Sequence, residues 1–213
     1  MKKQHQVPIA AAVLLIIFAV ATAVYMDQKG GQVSGNMASH LVRDYSPTTG
    51  HSDAKVTIVE FFDPACETCR VFHPFVKQLM AAYPGKIKLV LRYTPLHQGS
   101  DQVVALLEAA RLQNKFWETL EAAYNSQSIW VSNHSAQVDR VWMQLGGVGL
   151  DLQKAQADMH SQMVVDRVKQ DIADARQLQV TKTPGFFVNG KPLVRFGYEQ
   201  LKQLVEAEVR RFY

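Results

Sequence analysis

The spacing of apolar positions changes along the chain, and each change predicts an element. Val7 to Tyr25 is apolar and uncharged, about the length a helix needs to cross a bilayer. Val56-Thr57-Ile58-Val59-Glu60-Phe61-Phe62 is short, β-branched and almost wholly apolar, which reads as a buried strand. Asp63-Pro64 then signals a turn, and helical spacing follows from Arg70 to Met80. Tyr83-Pro84-Gly85 stops that helix, and Lys86 to Tyr93 reads as a second strand, completing a βαβ unit with a right-handed crossover.

Helical spacing dominates from Ser100 to about Gln179. Ser100-Asp101 reads as an N-cap ahead of Val103, Val104, Leu106 and Leu107. Phe116, Trp117, Leu120 and Tyr124 follow, then Val138, Val141, Trp142 and Leu145, then a last long helix through Val164, Val168 and Ile172. Thr183 to Val194 alternates strand, Asn189-Gly190 turn and strand, a hairpin pattern. Tyr198 to Phe212 returns to helix, with Leu201, Leu204, Val205 and Val209 inward, and Leu41 to Tyr45 reads as a short edge strand. The expected fold is α/β, a mixed sheet interrupted by an all-helical subdomain at about 96–179.

Of the 213 residues 47% are apolar, enough for one good core with an inserted subdomain. The net charge of +4 is spread along the chain without an aromatic-basic stripe, so nothing points to nucleic acid. Met1-Lys2-Lys3 precedes the first apolar run and places its N-terminal side in the cytoplasm. Residues 1–25 therefore read as a membrane anchor, with the rest of the chain periplasmic or otherwise extracytoplasmic. A cleaved signal is the alternative, since Ala19-x-Ala21 and Ala21-x-Ala23 are both plausible cleavage patterns. Residues 26–53, rich in Gly, Ser, Gln, Thr and His, read as a flexible tether that includes the edge strand, and 54–213 as the folded domain.

The chain has two cysteines, Cys66 and Cys69, placed where the first strand gives way to helix. A cysteine in a helix's first turn faces unpaired N–H groups and the positive end of the helix dipole, both of which favour thiolate. The second lies about one turn away, within reach of a mixed disulfide on the first. Zinc is a competing reading, but Cys-x-x-Cys is half a site; His73 could give a third ligand, and no fourth suggests itself. A purely structural disulfide would close too small a loop to stabilise much. These readings point to a redox pair that carries the electrons itself, with no cofactor and no metal.

These motifs resemble the DsbA-like thiol–disulfide oxidoreductases, a thioredoxin fold carrying a helical insertion. The resemblance runs from about Thr57 to Val209. It rests on Val59-Glu60-Phe61-Phe62 leading into Cys66-x-x-Cys69, on Arg70, Phe72, His73 and Pro74, on Leu107-Glu108-Ala109-Ala110 with Lys115-Phe116-Trp117, and on Thr183-Pro184-Gly185-Phe186-Phe187-Val188-Asn189-Gly190. It implies that Cys66 attacks, that Cys69 resolves, and that Pro184 is cis, leaving the Thr183 backbone to pair with a substrate chain. Glu60 would lie beneath the disulfide as a proton relay for Cys69; otherwise it is an exposed strand residue.

The family's strongest oxidants carry a histidine just before the second cysteine, where this chain has Glu67-Thr68. Without it, a potential between roughly −270 and −120 mV is expected, the thioredoxin and DsbA limits. The expected clients are reduced or misoxidised exported proteins, with a membrane redox partner recycling the pair, most simply for oxidation. A reductase or isomerase of the same fold is the alternative. From another class, so is a binding or holdase module with an incidental disulfide.

Overall fold

The computed structural model describes residues 39–213, and residues 40–213 form one compact unit. The apolar run Val7–Tyr25 and residues 26–38 of the expected tether lie outside the described residues. Among those described, no helix is long and apolar enough to cross a membrane.

Strand β2 (Val56–Phe62) and strand β3 (Ile87–Tyr93) pair in parallel, joined by helix α1 (Glu67–Ala82). Strand β1 (Thr48–Gly50) adds antiparallel to β3, and β6 (Gly185–Val188) adds antiparallel to β2. With β7 (Lys191–Pro192) the sheet order is β1-β3-β2-β6-β7. β2 is buried on both faces, as a covered parallel strand must be, which is why its sequence is almost wholly apolar. Its alternation assigns the faces. Val56, Ile58 and Phe62 pack with Cys66, Cys69, Phe72 and Val76 of the helix side, whereas Val59 and Phe61 pack with Leu41, Val90 and Ala175 opposite. Glu60 has the parity of Ile58 and Phe62, so it points toward the cysteines.

The insertion contains α2 (Ser100–Leu112), α3 (Phe116–Asn125), α4 (Gln127–Trp130), α5 (Val138–Trp142), α6 (Leu152–Asp158) and α7 (Gln162–Gln177). It carries its own core, with Val103, Leu106, Trp130, Val141 and Leu145 packed together. Helix α8 (Tyr198–Phe212) closes the fold by packing Leu201, Val205 and Val209 onto the main core.

Four expectations need correction. The insertion is not all-helical: β4 (Val131–Ser132) and β5 (Ser135–Ala136) form a hairpin whose turn residues Asn133 and His134 both have positive φ. The edge strand is Thr48–Gly50 rather than Leu41–Tyr45, because the earlier segment is committed to side-chain contacts. Leu41 enters the core, Arg43 binds Asp174 at 2.6 Å and Tyr45 donates to Asp171 at 2.8 Å. Helix α2 is capped by Gly99 in a left-handed conformation, since the Ser100 hydroxyl is taken by the Asp63 carboxylate. The second hairpin strand ends at Pro192, leaving Val194 89% exposed.

Candidate active site

Cys66 is the N-cap of α1, with extended φ and ψ, so its sulfur sits at the open end of the helix. Both thiols are free, Cys66 7% exposed and Cys69 fully buried. The two sulfurs therefore differ in access before any charge is considered.

They differ further in acidity. Cys66 is pulled down to about 5, first by a hydrogen bond from the Cys69 thiol, then by the Thr183 side chain and the backbone N–H groups of Cys69 and Thr68, against an opposing cost of burial. In its thiol form Cys66 also lies 3.4 Å from the Thr183 carbonyl, a contact that favours the proton. The donors outweigh it. Cys69 moves the other way, well above the ordinary thiol value. Burial is the main cause, assisted by its donation to Cys66 and by the nearby charges of Glu60 and Cys66. At neutral pH one sulfur is thus a thiolate and the other a thiol. Glu67 is exposed to solvent and is not among the main groups acting on the thiolate.

The remaining predicted residues converge here. The Thr183–Pro184 peptide is cis and sets Thr183 beside Cys66. Glu60 is 2% exposed, not a surface strand residue. Burial, then the Cys66 charge, pushes its carboxyl up to about 8, so it holds a proton at neutral pH. His73 is buried in α1, its ring 5.2 Å from Tyr124 and its Nε2 3.0 Å from Glu121. Among the described residues no group of three or more His, Cys, Asp or Glu side chains is placed to hold a metal ion. A groove of about 560 Å³ opens beside Thr68 and Thr183, lined also by Pro184, Phe186, Leu193 and Phe196.

Two polar residues that hold the site have little voice in the sequence. Asp63, fully buried, accepts from the backbone of Ala65, Leu96 and His97, from His97 Nδ1 at 2.7 Å and from the Ser100 hydroxyl. It ties the cysteine turn to the loop after β3. Asp before Pro marks a turn and nothing more. Gln127, on α4, donates to the carbonyls of Pro64 and Cys66, and nothing in its local pattern announces this.

A Cys-x-x-Cys pair capping the first helix of such a sheet, opposite a cis-proline loop, defines a thioredoxin-fold thiol–disulfide site. The Thioredoxin family model matches residues 43–207. The chain is 31% identical to a thioredoxin-like oxidoreductase of Silicibacter pomeroyi, with a TM-score of 0.68 and coverage of 80% of this chain and 95% of that one. It is 28% identical to the probable disulfide bond formation protein D of Bacillus cereus over 94% of this chain and 93% of that protein. Oxidised BdbD of Bacillus subtilis has the same fold, with a TM-score of 0.69 at 21% identity over 78% of this chain and 94% of that one. Matches also include a Na(+)/H(+) antiporter NhaA of Herminiimonas arsenicoxydans, 28% identical over 84% of this chain, of whose length the chain spans 28%. The chain belongs to the thioredoxin family.

Proposed function

We propose that this protein exchanges disulfides with exported proteins outside the cytoplasm, chiefly as a dithiol oxidase. The observation that carries the reading is the asymmetry of the pair: the more exposed sulfur titrates at about 5, above a fully buried one raised well above the ordinary value. In the oxidised enzyme a client thiolate attacks Cys66 Sγ, the sulfur within reach. The Cys66–Cys69 bond breaks, and Cys69 leaves and takes a proton, for which the protonated Glu60 carboxyl is the adjacent source. A second client thiolate then attacks the client sulfur of the mixed disulfide. Cys66 departs as a thiolate, a good leaving group because its pKa is low. The client loses two electrons and two thiol protons, of which one restores Glu60 and the other goes to solvent; the enzyme is left with Cys66 as a thiolate and Cys69 as a thiol, for a membrane redox partner to reoxidise.

Thr183 gives the client's backbone a partner beside Cys66, and the adjoining groove gives its apolar side chains a place to lie. The Val7–Tyr25 run would tether the domain, a reading supported by its length and by the lysines before it. The test is oxidation of a reduced, unfolded protein by the full chain, followed as loss of free client thiols. Exchange that disappears in Cys66→Ala supports the reading. If the parent exchanges no thiols while both proteins suppress aggregation equally, the protein is a holdase and the proposal fails.

A further inference from the structure

Gln127 is 2% exposed and belongs to the insertion, yet its side chain reaches the cysteine turn. Its Nε2 donates to the Pro64 carbonyl at 2.8 Å and to the Cys66 carbonyl at 3.1 Å, while its Oε1 accepts from Arg70 Nε at 2.9 Å. Only one orientation of the amide satisfies these contacts, because carbonyls lie at one end and a guanidinium at the other. The residue is itself well anchored. Trp130, fully buried in the same short helix, donates through Nε1 to the Ala123 carbonyl at 2.8 Å, and the Ser126 hydroxyl to Ala122 at 2.7 Å.

The Cys66 carbonyl also accepts the Arg70 backbone N–H at 3.2 Å, so both of its lone pairs are engaged. Fixing the carbonyls on either side of Ala65 fixes the backbone that aims the Cys66 sulfur at the Thr68 and Cys69 N–H groups. We propose that Gln127 is a positioning residue for Cys66: its amide, oriented by Arg70, clamps the Pro64 and Cys66 carbonyls and so holds the sulfur in line with the helix N–H groups. The inserted subdomain thereby tunes the reactivity of the thioredoxin half, and the reading rests on the exchange activity proposed above. A purely structural role is the competing account, since leaving a buried carbonyl unpaired is itself destabilising.

The decisive measurement is the ultraviolet titration of the Cys66 thiolate in the full chain, with the reduction potential alongside. Gln127→Leu removes both donors, and Gln127→Glu keeps an acceptor for Arg70 but has no amide hydrogens. Each should raise the Cys66 titration by about one unit, a tenfold loss of thiolate on the acid side, and lower the potential by about 30 mV. Variants that melt earlier yet titrate like the parent would overturn the proposal and leave Gln127 a structural cap. If neither variant folds, Arg70→Lys decides, because it keeps the charge but loses the planar Nε–H donor. An upward shift supports the clamp; a titration identical to the parent's rejects it. A parent that exchanges no disulfides refutes the function itself, whereas active variants with unshifted titration refute only the clamp.

Discussion

Replacing Glu60 by Gln removes a titrating group from beneath the cysteines while keeping its size. The carboxyl is raised from 4.5 to about 8 in the folded protein, so between those values the folded chain holds a proton that the unfolded chain releases. A carboxyl raised in this way contributes stability that is intact below pH 4.5 and lost as pH rises through 8. At pH 7 the difference is about 2.5 units at 1.36 kcal/mol each, or about 3 kcal/mol of destabilisation. Glu60→Gln should therefore gain stability relative to the parent by up to about 1.4 kcal/mol per pH unit from pH 5 to 8, with no further gain above that. The amide's own burial cost does not vary with pH, so the slope is the diagnostic quantity. Urea unfolding of the reduced proteins at intervals from pH 4.5 to 8.5 measures it. The oxidised proteins should show a somewhat smaller gap, because the Cys66 thiolate is absent and burial alone raises Glu60. The same variant should slow proton-coupled departure and attack by Cys69 by tenfold or more, on the order expected for a lost general acid–base. A gap between the variant and the parent that is constant from pH 5 to 8 would falsify the buried, protonated carboxyl and the relay with it.

Cys69→Ala should accumulate mixed disulfides with clients and Cys66→Ala almost none, seen as thiol-sensitive adducts on non-reducing gels; equal trapping would reverse or abolish the assigned roles. Thr68→His places a potential cation beside the thiolate and should raise the reduction potential by tens of millivolts, on the scale of about 30 mV per pKa unit. A glutathione-equilibrium measurement in which it equals the parent would discard that account of the dipeptide. Arg92 is fully buried and donates to Asp171 at 2.8 Å and Asp174 at 2.6 Å. Arg92→Met should therefore cost about 3–5 kcal/mol in denaturant unfolding by stranding buried carboxylates. A loss below 1 kcal/mol would show that Arg43 and His40 suffice for Asp174, and Tyr45 and the Tyr93 N–H for Asp171.

The local code of the chain determined where the redox pair lies and what flanks it. A continuous apolar run, a turn signal and two cysteines a helical turn apart need no distant partner to be read, because strand period, turn chemistry and helix-end polarity are short-range effects. The Asn189-Gly190 turn and the amphipathic final helix were legible for the same reason. The cis peptide at Thr183–Pro184 and the placing of Glu60 beneath the pair came by resemblance to a family, though the strand's alternation agrees with the latter. What only the tertiary structure decided is how the pair is held and tuned. Asp63 collects donors from a loop more than thirty residues away, Gln127 reaches in from the insertion, and the segment around Arg43 and Tyr45 gives up strand pairing to meet Asp174 and Asp171. A polar residue's role in a buried network is set by what the fold brings within 3 Å of it. Local propensity carries no record of that.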